Sequence, residues 1–300
     1  MDIEGTGADP TSSGDVTVPR RRALDAVPAP ALVLLGIGSV QFGAALAKHL
    51  FDTAGSFGTV ALRLFFAAAM LMLLWRPALR FDRPTWMVIV AYGIVLGSMN
   101  LCFYLSLDRI PLGITVTIGF LGPLAVALAG SRRWLDAVWA LLAAAGVVLL
   151  TKGGGDLDLV GVLFAVGSGV LWGIYILVGA ALGRRTTQGD GLALGMAVAA
   201  LVVVPVGVAD SGTALFTPWV LVAGLGVAVL SSLIPYSLDL EALRRVPARV
   251  FGILMSLEPA VAALVGLLVL GEALRLPQWI AVLCVVIASA GATRTSRSDT

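Results

Sequence analysis

The residue with the clearest capacity for chemistry is Glu258, an acid in the middle of a long apolar run. It stands in the segment Leu257-Glu258-Pro259. A carboxylate in the middle of a membrane-spanning segment is costly and generally serves a function. Two functions fit here, the binding of a transported proton and the pairing with a substrate ammonium group. The alternative is a structural contact to a helix end or to Arg63.

Two basic residues in apolar surroundings could bind a carboxylate. Arg63 stands within an Ala/Leu run, and its guanidinium can hold a carboxylate through two parallel hydrogen bonds. It could instead extend to the surface and pair with Asp52 or Glu272. Lys48, near the end of the first apolar run, allows the same two interpretations. We predict that both cations belong to a substrate site.

Further polar and aromatic side chains lie inside apolar runs. A binding pocket needs a few such groups in an apolar lining, although each one alone could equally form a packing hydrogen bond. Trp172 is distinctive because the six other tryptophans fall near the ends of apolar runs, where indole rings anchor at the membrane interface. We predict that the substrate site also includes Gln41, Asn100, Tyr104, Trp172, Tyr175 and Tyr236.

The composition indicates which elements must position these residues. Hydrophobic residues make up 59% of the 300-residue chain and charged residues 13%, against roughly 25% in soluble domains. The mean hydropathy is +0.98. One soluble core could not bury this much apolar surface, whereas lipid solvates it directly. The composition therefore predicts an all-α membrane protein.

Ten apolar stretches approach the roughly 20 residues that a membrane span requires. They are separated by short connections that carry the charges, prolines and glycines. Residues 1–30 differ, being rich in Gly, Ser, Thr, Asp and Pro, and they predict a disordered tail. The predicted spans are 31–51, 57–75, 85–107, 112–130, 134–151, 158–182, 190–208, 217–238, 248–270 and 276–293.

The basic residues predict the orientation of these spans. If the amino terminus is cytoplasmic, only Lys48, Arg109, Lys152 and Arg275 lie on the outer side, and Arg63 lies within a span. The other 15 of the 20 Lys and Arg residues then face the cytoplasm. This bias follows the positive-inside rule. It predicts a multi-pass protein with both termini cytoplasmic, including the short tail 294–300.

The two halves of the chain carry matching motifs. Arg109-Ile110-Pro111 precedes the fourth span, and Arg245-Val246-Pro247 precedes the ninth. Twelve residues after these prolines come Pro123 and Pro259, so the offset is 136 throughout. An offset without gaps over this distance indicates an internal repeat.

The repeat predicts two five-helix units, residues 31–151 and 158–293. Because five is odd, the second unit is inverted relative to the first. Inverted repeats are typical of transporters that bind substrate between the halves and alternate their access. Pro123 and Pro259 would each kink a span at matching depth. We therefore predict a small-molecule transporter that works by alternating access.

Several of these features resemble the EamA family of the drug/metabolite transporter superfamily. They are the ten spans in two repeats, Leu257-Glu258-Pro259 followed thirteen residues later by Gly271-Glu272, and Arg63 in its Ala/Leu run. The segment 39–48, Ser-Val-Gln-Phe-Gly-Ala-Ala-Leu-Ala-Lys, is similar to the threonine/homoserine exporter branch. The first repeat departs from the pattern, because Gly122 stands where the second repeat has its acid.

The resemblance implies ATP-independent export of amino acids or related metabolites across a bacterial-type cytoplasmic (inner) membrane. No G-x-x-x-x-G-K-[ST] loop occurs in the sequence. We expect a small-molecule substrate and the lipid bilayer as partners, without a cofactor, a metal or a catalytic residue. The net charge of +2 gives no electrostatic support for a nucleic-acid partner. The sequence leaves open whether the protein is a monomer or a homodimer.

Two other classes of protein compete with this interpretation. An intramembrane enzyme, such as a lipid-modifying transferase or a protease, needs clustered acids or a Ser/His or paired-Asp site. This sequence has one acid deep in a predicted span, and its single histidine, His49, lies at a span end. A channel or a non-transporting membrane scaffold is the other alternative.

Overall fold

The computed structural model describes residues 27–129, 134–152, 157–186 and 188–295, and these form helices, turns and short connections without a strand. The predicted tails fall largely on residues 1–26 and 296–300, which lie outside the described residues. The helices are α1 (Ala29–Trp75), α2 (Arg83–Leu107), α3 (Leu112–Gly119), α4 (Leu121–Ala129), α5 (Trp134–Lys152), α6 (Leu159–Gly183), α7 (Gln188–Ser211), α8 (Pro218–Ala228), α9 (Ile234–Leu243), α10 (Ala248–Met255), α11 (Glu258–Leu270) and α12 (Leu276–Thr295).

Within the described residues, eight helical stretches are long and apolar enough to cross a membrane. A further helix, α5, contains a shorter apolar stretch, Ala137–Gly146. Large apolar side chains cover the outside of the bundle, and Leu268, for example, is 80% exposed. Such a surface is stable in lipid and not in water. The all-α membrane architecture expected from the sequence is confirmed.

The longest stretch, α1, contains two predicted spans and is interrupted at Gly55. The backbone there has φ 65° and ψ 169°, a conformation that is essentially restricted to glycine. Gly43 and Arg63 on either side both contact Ser231. A straight helix would hold positions 43 and 63 about 30 Å apart. The chain therefore reverses direction at Gly55, giving a first arm (29–54) and a second arm (56–75).

Matching helix breaks occur in the two halves of the chain. The helix pair α3–α4 breaks at Phe120, and the pair α10–α11 breaks at Ser256 and Leu257. A proline follows each break, Pro123 and Pro259 respectively, and its missing N–H leaves the carbonyl four residues earlier without a helical donor. The bounds of α3 and α10 differ by 136 at both ends. This is the offset of the sequence motifs.

The two halves pack mainly on each other. The α1 arms contact α7, α8, α9 and α11, while α2 contacts α6 and α7, and α5 contacts α12. These interfaces rely on small residues, which allow backbones to approach closely. A Cβ on Gly122 of α4 would lie 1.8 Å from the carbonyl oxygen of Gly169 on α6. The interior between the halves is thus the place where a shared site can form.

Candidate functional site

Unpaired polar atoms concentrate between the two halves. Within the described residues, eight buried side-chain atoms have no hydrogen-bond partner, and seven of them belong to the α1 arms, α2, the α8–α9 segment and α11. A buried polar atom left unpaired costs about 1–3 kcal/mol, so such a concentration indicates a place for a polar ligand or water. These seven atoms are Gln41 Oε1, Arg63 Nε, Tyr104 Oη, Ser231 Oγ, Ser232 Oγ, Asp239 Oδ1 and Glu258 Oε2.

Glu258 lies at the beginning of α11, directly after the break that precedes Pro259. Its Oε1 accepts a hydrogen bond from Gln41 Nε2 at 3.2 Å, and both side chains are buried. The free N–H groups at the start of a helix favour a negative charge. The proline break therefore places the carboxylate in the interior and supports it there. Within the described residues, the contact to Arg63 considered from the sequence is not formed.

The first repeat has no room for an equivalent acid. Gly122 occupies the position matching Glu258, and the carbonyl of Gly169 fills the space that a Cβ would need. The departure of the first repeat from the family pattern thus has a packing cause. Only one of the two helix breaks can present a carboxylate to the interior.

Arg63 faces the α8–α9 segment. Its Nη2 donates to the carbonyl of Ser231 at 3.3 Å, and its guanidinium carbon lies 5.6 Å from the ring centre of Tyr104. A cation over an aromatic face is stabilised by the ring quadrupole. Within the described part of the chain it forms an ion pair with neither Asp52 nor Glu272. The Nε of the guanidinium has no hydrogen-bond acceptor among the described residues, so it can donate to another partner.

The Ser231 carbonyl is available because the helix is irregular there. Residues Val229–Leu233 form a π-helical turn between α8 and α9. Pro235 has no N–H for the carbonyl of Ser231, four residues earlier. The neighbouring carbonyl of Leu230 accepts from Ser39 Oγ at 2.7 Å. Turns of this kind occur frequently at functional sites. Pro235 is the feature of the sequence that could have indicated this irregularity.

A cavity of about 360 Å³, here named the tyrosine cavity, lies beside this region. Tyr92 Oη donates to Tyr175 Oη at 2.9 Å, and the two ring centres are 5.0 Å apart. The cavity extends to one end of the bundle, where the α6–α7 connection lies. Its lining consists of Trp75, Tyr92, Tyr175, Gly179, Leu182, Gly183, Thr186, Gly189, Gly191, Leu192, Tyr236 and Asp239.

Asp239 is an acid of the site that hydropathy did not predict. The predicted span ended at residue 238, whereas α9 continues to Leu243. Asp239 therefore lies on the helix and lines the tyrosine cavity, with its Oδ1 buried and unpaired among the described residues. Tyr236 lines the same cavity three residues earlier on α9, and the Asp239 carboxylate lies within electrostatic range of Glu258. The feature of the sequence that could have indicated this acid is its position between two apolar residues, Leu238 and Leu240.

A different acid binds Lys48. Glu272 Oε1 accepts from Lys48 Nζ at 2.6 Å, and Glu272 Oε2 accepts from the backbone N–H of Leu112 at 2.7 Å. We call these two contacts the Lys48–Glu272 lock. Gly271, with φ 67°, ends α11 and turns the chain so that Glu272 can reach both partners. A Cβ on Gly266 would lie 2.9 Å from Glu272 Oε2, so a side chain there would displace this carboxylate oxygen.

Among the predicted site residues, Tyr175 and Tyr236 line the tyrosine cavity, whereas Asn100 and Trp172 make contacts elsewhere. Asn100 Nδ2 donates to the carbonyl of Leu96 in its own helix at 2.8 Å. The Trp172 ring meets Phe120 edge-on at 5.5 Å, at the α3–α4 break. Apart from Lys48, which pairs with Glu272, the other predicted side chains fall into two groups. Gln41 pairs with Glu258 and Arg63 lies over Tyr104 in one, and Tyr175 and Tyr236 line the cavity in the other.

Comparisons with known proteins agree with this architecture. Residues 159–294 match the model of the EamA-like transporter family. The chain is 44% identical over 275 residues to the threonine/homoserine exporter RhtA of Salmonella typhimurium, covering 90% of this chain and 93% of that protein. The same exporter of Escherichia coli is 44% identical over 272 residues, covering 89% and 92%.

A solved crystal structure supports the fold. It aligns with a TM-score of 0.59 at 20% sequence identity and covers 89% of this chain and 98% of that chain. At this identity the likeness concerns the fold alone. The chain is 44% identical to the two exporters over about nine-tenths of its length, and its second half matches the family model. It therefore belongs to the EamA-like transporter family.

Proposed function

We propose that this transporter exports threonine, homoserine or closely related small amino acids from the cytoplasm by alternating access. The relatives that it resembles over nine-tenths of its length are threonine/homoserine exporters. One observation carries the proposal, namely that the tyrosine cavity reaches one end of the bundle while the Lys48–Glu272 lock ties helices together at the other. Trp75 and Lys48 mark these two ends.

The proposal assigns opposite ends to these features because α1 reverses at Gly55. Lys48 lies seven residues before the reversal, and Trp75 lies twenty residues after it. At 1.5 Å per residue, the second arm carries the chain about 30 Å away, which is the thickness of the apolar layer. A cavity at one face and a lock at the other is the arrangement expected of a carrier in one of its two access states.

We infer ten membrane crossings arranged as two inverted five-helix repeats. The eight apolar stretches become ten if Ala29–Trp75 crosses twice and α5 crosses once. The repeats are residues 31–151 and 158–293. The shared offset of 136 between the motifs and between the bounds of α3 and α10 supports this division.

The distribution of basic residues supports an orientation with both termini in the cytoplasm. In that orientation the α6–α7 connection is cytoplasmic and the Lys48–Glu272 lock lies on the outer side. The tyrosine cavity then opens to the cytoplasm. This is the state in which an exporter takes up its substrate.

The proposed roles follow from the contacts. Arg63 binds the substrate carboxylate. Four further side chains surround the substrate during its passage, namely Gln41, Tyr104, Tyr175 and Tyr236. Glu258 couples transport to protons. We assign Lys48 to outer closure rather than to substrate binding, because Glu272 already engages its ammonium group. Trp172 packs α6 against the α3–α4 break, and Asn100 bonds within its own helix, so we assign neither to substrate binding.

An efflux assay tests the proposal. Bacterial cells without their own threonine exporters are loaded with labelled threonine or homoserine, with and without the protein. We expect the label to leave faster when the protein is present, and Arg63→Gln to abolish the difference. Asp108→Asn, an exposed acid at the end of α2, is the matched control. Equal retention in both cell types over a panel of amino acids would overturn the proposal.

A further inference from the structure

We propose that Asp239 binds the ammonium group of the substrate while Arg63 binds its carboxylate, so that the site selects zwitterionic amino acids. This inference rests on the proposed function and deepens it by naming the chemical feature that the site recognises. It assigns to Asp239 a binding role that is separate from proton coupling at Glu258.

The Asp239 carboxylate has no counter-charge among the described residues. It lines the tyrosine cavity, its Oδ1 is buried without a hydrogen-bond partner, and no basic side chain in the described part of the chain forms an ion pair with it. Glu241, two residues further along α9, contrasts with it because its Oε1 accepts from Arg245 at 2.5 Å. A half-buried carboxylate whose Oδ1 has no partner favours a counter-charge, and a substrate ammonium group can provide it.

The first arm of α1 leaves space for this carboxylate. Gly36 faces it, and a Cβ on Gly36 would lie 3.0 Å from Asp239 Oδ1. A Cβ at this distance would require the carboxylate to shift by a few tenths of an ångström. Gly38, two residues further on the same arm, has nothing within 4 Å of where its Cβ would be. Packing against Asp239 therefore favours glycine at position 36, whereas no neighbouring atom restricts the side chain at position 38.

Arg63 carries the opposite charge in the same region. Tyr236 is near both Arg63 and Asp239, because the charges of both act on it. Among the described residues Arg63 Nε has no partner, and the tyrosine hydroxyls of the cavity provide neutral donors and acceptors close by. A cation and an anion that are both near Tyr236 match a small molecule that carries both charges. Glu258 remains paired with Gln41 and is left for the proton.

The test measures transport by the purified protein in proteoliposomes. The probes are threonine and 2,3-dihydroxybutyrate, which replaces the ammonium group by a hydroxyl. Removing one partner of a buried charge pair costs several kcal/mol, so we expect Asp239→Asn to raise the KM for threonine about 30-fold or more. We also expect this variant to lose the preference for threonine over 2,3-dihydroxybutyrate. Asp239→Glu restores part of both properties, and Asp108→Asn changes neither.

A second pair of variants keeps every charge and so covers the case in which Asp239→Asn does not fold. Gly36→Ala is expected to raise the KM for threonine about tenfold by displacing the carboxylate, whereas Gly38→Ala leaves it within about twofold. The inference would be overturned, but not the proposed function, if Asp239→Asn kept the wild-type KM and the wild-type preference for threonine. Equal effects of the two glycine variants on the KM would overturn it as well. Absence of amino-acid transport by the wild-type protein would overturn the proposed function, and the inference with it.

Discussion

Lys48 and Glu272 lie 224 positions apart in the chain, and their side chains meet at 2.6 Å. The same carboxylate accepts from the backbone N–H of Leu112, so one acid connects α1, the beginning of α3 and the connection after α11. A small apolar cluster packs among the same helices and includes Ala44, Leu112, Val116 and Ala262. We infer that the lock and this cluster together close the bundle at the end away from the tyrosine cavity.

Breaking the lock is expected to open this end. In Glu272→Gln the carboxylate charge is lost, which removes about 1–3 kcal/mol of support for closure. A cysteine in place of the buried Val116, in a background without Cys102 and Cys284, should then react about tenfold faster with an impermeant maleimide added outside. Asp158→Asn, which breaks the exposed 3.3 Å ion pair with Arg109, is the matched control. Identical labelling rates in all three proteins would argue against a lock.

The membrane class, the helix breaks and the family could be predicted from the sequence. Hydropathy and the prolines act locally, so their consequences can be predicted from neighbouring residues alone. For Lys48 the sequence left a substrate carboxylate and an acid such as Asp52 or Glu272 as alternatives, because only tertiary packing across 224 residues selects Glu272. Asp239 was missed for a different reason. The hydropathy of a span falls at its first acid, whereas the helical backbone continues to Leu243 because its hydrogen bonds do not depend on side-chain polarity.

Glu258→Gln is expected to flatten the pH dependence of transport. The substitution keeps the shape of the side chain and a group for Gln41 to contact, but it cannot bind or release a proton. Asp239 and Arg63 remain as charges near the site. The measurement is the initial rate of threonine transport in proteoliposomes over the neutral pH range, with Asp52→Asn as an exposed control. A pH profile in Glu258→Gln that matches the wild type would exclude Glu258 as the coupling residue.

Gly55→Ala is expected to destabilise the protein. The φ of 65° and ψ of 169° at this residue are strained for any side chain, at a cost of about 1–3 kcal/mol. A Cβ there would also lie 3.3 Å from Asp210 Oδ2. Thermal unfolding in detergent should show a lower midpoint for Gly55→Ala. Gly38→Ala, which replaces a helical glycine in open space, should show no decrease. Equal midpoints for the two variants would contradict the reversal of α1 at Gly55.

Asp158 is expected to stabilise the start of α6 in a pH-dependent manner. The backbone N–H of Val160, followed by Arg109, holds the pKa of this carboxyl below its ordinary value of 3.8. A lowered pKa in the folded state means that the stabilisation is complete above the ordinary value and is lost as the pH falls through the folded one. Asp158→Ala should therefore unfold at a lower temperature than the wild type at neutral pH. The difference should disappear in acid, and a difference that persists there would contradict this assignment.

Counterflow in proteoliposomes tests the central claim most directly. Vesicles containing the purified protein are loaded with unlabelled threonine and diluted into a trace of labelled threonine, with homoserine and an unrelated amino acid as competitors. An alternating-access carrier predicts transient accumulation of the label, saturation with substrate and inhibition by homoserine. Failure of the label to accumulate, or a flux that rises linearly without saturation, would contradict transport by alternating access.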